Sequence, residues 1–251
     1  MDTSVYPTIT KKKILCRIAG LIYEIECGYD YTLNKFKDYR IEPKEIDGDV
    51  IPVTYNERDL EDVLKLSPEA QKEHQEYLCI FDKIASMLPE HEMILMHGAL
   101  IEYNGEGFLF TAPSGTGKTT HISLWKKYLG DKVIIVNGDK PELVIRENSV
   151  LAYGTPWCGK EGWHVNKSVP LKGICLIQRG SKNKIKQISP GKYIELFIQQ
   201  LYFDMGSSEV LKVFEIFNKI TERVPFFLLE CDISEEAAKC SFEKMTGKEW
   251  R

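Results

Sequence analysis

No two cysteines in this chain stand in a Cys-x-x-Cys arrangement. The seven present (Cys16, Cys27, Cys79, Cys158, Cys175, Cys231 and Cys240) are odd in number and scattered, which argues against a disulfide framework or a structural zinc. Most lie in apolar runs, where a thiol behaves as a small buried hydrophobe. No apolar run approaches the roughly 20 residues needed to span a bilayer. The segment from Met1 to Pro7 lacks the basic-then-apolar order of a secretory signal. A surplus of positive charge is missing as well. Lys and Arg number 33 against 37 Asp and Glu, for a net charge of −4, so no nucleic-acid footprint is expected, and Lys11-Lys12-Lys13 reads as a solvated strand start. These absences predict a cytoplasmic protein with neither a membrane nor a nucleic-acid partner.

What remains is an ordinary globular composition, 43% hydrophobic and 28% charged over 251 residues, enough for one large domain or a main domain with a smaller one. One stretch organises the rest. Phe108 to Thr111 is an apolar strand; Ala112-Pro113-Ser114-Gly115-Thr116-Gly117 is a glycine-rich turn; Lys118-Thr119-Thr120 opens a helix. This is the P-loop pattern, with Ala112 at the place of the first glycine. Gly115 and Gly117 let the backbone wrap a phosphate chain with its N–H groups turned inward. The helix behind them offers free amides and a positive dipole end to the same anion. Lys118 is expected to reach the β- and γ-phosphates and Thr119 to offer a hydroxyl to Mg²⁺. The set from Pro113 to Thr120 is thus the candidate nucleotide site, with ATP and Mg²⁺ as expected cofactors.

The chain around it reads as mixed α/β. Residues 1–66 form a small β-rich module: Ile14–Ala19 and Leu21–Cys27 are strands joined through Gly20, Leu33–Tyr39 is a short helix or turn, and Ile46–Tyr55 is extended. Arg58–Lys65, dense in charge, reads as a connector. The larger domain, 67–251, starts with a helix signalled by Ser67-Pro68 and ended by Pro89. A strand over Glu92–Tyr103 turns at Asn104-Gly105 into the strand feeding the P-loop. Beyond the P-loop helix, Lys132–Asn137 is a buried strand ending at Gly138-Asp139, and Glu142–Arg146 and Ser149–Tyr153 are a paired set. Leu171–Gln178 is a strand, Gly191–Phe203 and Ser207–Arg223 are helices, Val224–Cys231 is a strand and Ser234–Met245 a last helix.

Three features accompany the P-loop. Asp139 follows a buried strand, where ligand-binding residues of parallel sheets gather, and is the candidate metal ligand or general base. His97-Gly98 lies in the strand leading to the P-loop. The glycines flanking Lys160 and Glu161, in the loop Trp157–Trp163, suit an anion-binding or lid segment, so both are candidate substrate contacts.

The combination of His97-Gly98, the loop Ala112–Thr119 and Val136-Asn137-Gly138-Asp139 resembles HPr kinase/phosphorylase, whose P-loop domain is related to ATP-dependent phosphoenolpyruvate carboxykinase. The resemblance covers about residues 75 to 180. It implies the HPr kinase/carboxykinase type of P-loop domain, with ATP–Mg²⁺ on Lys118 and Thr119 and with His97 and Asp139 at the reacting centre. The activity it implies is transfer of a γ-phosphoryl group to a hydroxyl of a peptide, protein or small molecule. Where that family carries two adjacent acids, this chain has Asp139-Lys140. Two alternatives stay open, a nucleotide-dependent binding or maturation protein without transfer, and a carboxykinase- or phosphorylase-like activity.

Overall fold

The computed structural model describes residues 10–203 and 209–250. Contacts divide the chain into two compact units, Met1–Met87 and Leu88–Arg251.

In the first unit, β1 (Lys12–Ile18) and β2 (Leu21–Cys27) pair antiparallel across Ala19 and Gly20. Both turn residues have positive φ, 48° and 90°, the two-residue geometry whose twist matches that of the strands. Helix α1 (Asp30–Lys35) follows, and β3 (Val50–Val53) joins β2 in parallel. The charged stretch expected to be a connector is instead helix α2 (Glu57–Leu66). Asn56 and Asp59 form a reciprocal capping box at its start, and Leu60 and Val63 supply its buried stripe. Dense charge hid a short amphipathic helix whose apolar face is two residues wide.

Helix α3 (Lys72–Met87) begins later than Ser67-Pro68 suggests, because Ser67–Ala70 closes a turn in which the Ala70 amide donates to Ser67 O. It packs within the first unit, so the division falls after α3, at Met87/Leu88, rather than at 66/67. The buried Glu76 on α3 shows why. Its carboxylate accepts from the amides of Gly28 (2.6 Å) and Tyr29 (3.2 Å) and from the Tyr55 hydroxyl. Lys83 on the same helix pairs with Asp59 of α2 at 3.0 Å.

Among its described residues, the second unit is built on one nine-stranded sheet. The segment expected as a single strand over Glu92–Tyr103 breaks at Met96-His97 into β4 (Met93–Leu95) and β5 (Gly98–Tyr103). Then come β6 (Glu106–Thr111), α4 (Lys118–Leu129), β7 (Val133–Asn137), β8 (Glu142–Arg146) and β9 (Ser149–Tyr153). Strand β10 (Ser168–Arg179) bends: its start pairs with β9 and its end with β12 (Phe226–Cys231), while β6 lies along its middle. Edge strand β11 (Lys184–Ile188), largely polar and unforeseen from sequence, pairs with β12. The expected helix over Gly191–Phe203 is confined to α5 (Ile194–Ile198) behind a 3₁₀ turn from Pro190. Helix α6 (Glu209–Arg223) and α7 (Glu235–Thr246) complete the unit; Ser207, the expected start of α6, lies outside the described residues.

Strand alternation feeds two cores. Phe108 and Phe110 of β6 point to one face with Trp125 of α4 and Phe242 of α7, while Leu109 points to the other with Phe197 of α5 and Phe217 of α6. A sheet covered on both faces accounts for the near-continuous apolar runs. Strands β6, β10 and β12 are mutually parallel, and β7, antiparallel to β5, runs with them. Their C-terminal ends therefore emerge together, beside the start of β5. All seven cysteines are free and six are buried. Among the described residues, no helix is long and apolar enough to cross a membrane.

Candidate functional site

The site grows from the end of β6. The chain leaves the strand at Thr111, loops over Ala112–Gly117 and enters α4 at Lys118. Gly115 and Gly117 have φ of 75° and 122°, values that a side chain would strain. Lys118 is only 8% exposed, and its Nζ donates to Ala112 O at 2.8 Å. Burial holds its pKa below the usual ammonium range, with Asp139 opposing that shift. Thr116 braces the loop internally, its hydroxyl donating to Pro113 O at 2.8 Å. Arg179, at the end of β10, braces it from outside: Nε donates to Thr116 O (3.2 Å) and a terminal nitrogen to Gly115 O. Because a trans peptide sets its C=O and N–H on opposite sides, anchoring Thr116 O on Arg179 turns the Gly117 N–H away from that guanidinium.

Asp139 is positioned by Asn137, the last residue of β7. The buried Asn137 side chain accepts through Oδ1 from the amides of Asp139 (2.9 Å) and Lys140 (2.8 Å), and donates through Nδ2 to Thr155 O and Oγ1. Thr155 in turn donates to Lys140 O at 2.7 Å. This network is closed and buried, so the turn is stiff. Lys140 Nζ donates to Asp139 Oδ2 at 2.7 Å.

His97 sits at the break between β4 and β5. Its own amide donates to Gln200 O, Gly98 N donates to Asp139 O (2.8 Å), and Thr111 Oγ1 donates to His97 O (2.8 Å). The ring bridges two partners: Nδ1 lies 2.9 Å from Gln200 Oε1 and Nε2 lies 3.4 Å from Asp139 Oδ1. With Gln200 Oε1 as acceptor, Nδ1 carries the proton and Nε2 presents a lone pair beside Asp139. Burial, then the Lys118 charge, hold the imidazole below its usual range against the pull of Gln200 and Asp139, which favours its neutral form.

The loop Trp157–Trp163 wraps the Asp139 turn. Trp157 O accepts from Lys140 N (3.2 Å) and Trp163 O from Gly138 N (2.9 Å). Trp157 and Cys158 are buried, whereas Gly159, Lys160 and Glu161 are exposed on the rim. Together these elements enclose a cleft of about 410 Å³. It brings together His97, Ser114, Gly115, Gly117, Lys118, Thr119, Thr120, Asp139, Lys160 and Glu161. Of the residues expected at the site, Pro113 and Thr116 do not line it. Among the described residues, no cluster of three or more His, Cys, Asp or Glu forms a metal site. Thr119 and Asp139 are two of the side-chain oxygen donors on the cleft, with Ser114, Thr120 and Glu161. A pair of this kind suits Mg²⁺, which takes one or two protein oxygens and completes its shell with phosphates and water.

Sequence reasoning missed Asn137, Thr155, Gln200 and Arg179. A basic residue at the exit of a strand parallel to β6 was a usable signal for Arg179. Gln200 is 103 positions from His97, and nothing local marks it.

Compared with known proteins, residues 71–239 match the family model for SynChlorMet cassette protein ScmC. Curated protein sequences contain no match. Solved structures that match include the HPr(Ser) kinase/phosphatase from Coxiella burnetii, at 12% identity over 61% of this chain and 93% of that one, with a TM-score of 0.34. That likeness is distant and carries no functional argument. The family match spans well over half of the chain, including His97, the P-loop, Asp139 and Arg179. The chain belongs to the SynChlorMet cassette protein ScmC family.

Proposed function

We propose that this protein is an ATP-dependent kinase that moves a γ-phosphoryl group onto a hydroxyl of a peptide, protein or small molecule. One observation carries the reading: a P-loop with its lysine, a histidine and a carboxylate share a single cleft at the C-terminal ends of parallel strands. The P-loop amides and Lys118 would hold the phosphate chain and its developing charge. Mg²⁺, when bound, would neutralise phosphate charge, with Thr119 and Asp139 as the protein's donors to it. The acceptor oxygen bonds to the γ-phosphorus as the bridging P–O bond breaks, leaving ADP and a phosphoester. The hydroxyl proton goes to Asp139 or to the Nε2 lone pair of His97, which the adjacent carboxylate would stabilise. Lys160 and Glu161, exposed on the rim of the cleft, would contact the acceptor. Catalysis would come from positioning and fixed charge.

A second reading, nucleotide-dependent binding without transfer, is favoured by the 2.7 Å contact of Lys140 on Asp139 Oδ2, which occupies an oxygen that a base would use. The two are separated by incubating the protein with γ-labelled ATP, Mg²⁺ and a cell lysate. A labelled acceptor that is lost with Asp139→Asn supports the kinase. Tight ATP binding with no labelled acceptor supports the second reading.

A further inference from the structure

The phosphate cleft continues, on the side away from His97 and Asp139, into a second hollow of about 380 Å³. The two share Gly115, Gly117 and Thr120, so they form one trough across the P-loop and the first turn of α4. Its second half is built differently. Leu124 of α4 forms one wall, Ile177 of β10 the floor, and Ile233, in the turn between β12 and α7, the opposite rim. Ile177 is buried, but Ile233 is 76% exposed. The turn that presents Ile233 is pinned, since Asp232 Oδ1 accepts from Asn183 Nδ2 (3.1 Å), Ser234 N (2.9 Å) and Ser234 Oγ. The groove also carries Arg179 and Asp232. It thus offers apolar surface held open to water beside an anion cradle, together with polar groups. Such a mixed lining gains by being covered with a flat, largely apolar face bearing polar edges.

The direction of the trough identifies that face. A triphosphate lying on the loop with its terminal phosphate toward His97 and Asp139 must send its other end over Gly117 and Thr120. A neighbouring hollow on the other flank of Arg179 shares only Ser114 and Gly115 with the phosphate cleft, and it misses the turn of α4 on which the chain of phosphates would leave. We infer that the Leu124–Ile177–Ile233 groove takes the ribose and base of the nucleotide, with Ile233 and Leu124 against the base. This rests on the nucleotide reading above and adds where the base lies and what grips it.

The test is calorimetric titration of the full chain with MgATP and, separately, with magnesium tripolyphosphate, which has the phosphates without the nucleoside. Ile233→Ser should weaken MgATP binding about tenfold and leave tripolyphosphate within about twofold. Ile233→Leu should restore ATP binding, and Leu211→Ser, an exposed leucine outside the groove, should change neither. Unchanged ATP binding by Ile233→Ser, or equal weakening of both probes, overturns the assignment of the groove. Failure of the unmutated protein to bind either probe overturns the nucleotide reading itself, and the groove with it.

Discussion

Glu142 opens β8 with no exposure, and neither carboxylate oxygen has a hydrogen-bond partner among the described residues. Burial pushes its pKa from 4.5 up to about 8. A raised carboxyl pKa means that folding favours the protonated form. The stability contribution is therefore complete below about pH 4.5, declines as pH rises toward about 8, and is flat beyond. At pH 7 the ionisation gap is about 2.5 pH units, an order-of-magnitude cost of about 3 kcal/mol for burying the group, a large share of a typical domain's stability. Glu142→Gln keeps the shape and removes the titration. His121 pulls the other way. Its pKa is held down at about 3 by burial, so its contribution is present above its ordinary value of 6.5 and lost as pH falls toward about 3. It is common to both proteins and cancels in their difference. Urea unfolding of both proteins between about pH 5 and pH 8 should show Glu142→Gln gaining about 3 kcal/mol on the parent protein as pH rises. Parallel stability curves would refute the buried, unpartnered carboxyl.

Glu76→Ala removes the acceptor from two amides and the Tyr55 hydroxyl and should cost about 3 kcal/mol or more in urea unfolding; an unchanged midpoint would contradict the packing of α3 in the first unit. Asn137→Ala frees the Asp139 turn, so phosphoryl transfer should fall at least about tenfold while MgATP affinity stays within about threefold. Arg179→Ala releases the Gly115 and Thr116 carbonyls and should weaken MgATP and tripolyphosphate alike, by about tenfold, in titration.

The residues that line the candidate cleft could be picked out in the sequence because they answer to local rules. Gly115 and Gly117 are demanded by backbone geometry, and the strand before and helix after them declare themselves by periodicity. Asp139 followed from its place after a buried strand. His97 could be named but not placed, because the β4–β5 break that turns it toward Asp139 depends on pairing with β8 and β6, which no local pattern encodes. The clamps were harder still. Gln200 and Thr155 act through contacts with distant residues, and each taken alone is an ordinary polar side chain. In α2, a high count of charges outweighed the two apolar positions that decide its burial. Propensity reads single segments, whereas these features are set by the packing of one segment on another.

The proposed activity requires that the cleft at Lys118 hold a nucleoside triphosphate. The most direct measurement is calorimetric titration of MgATP into the intact protein and into Lys118→Ala, with circular dichroism to establish that both are folded. Saturable binding by the intact protein, weakened at least about hundredfold in the folded variant, is the result predicted for a buried lysine on the phosphates. Equal binding by the two proteins, or no binding by the intact one, would contradict the account.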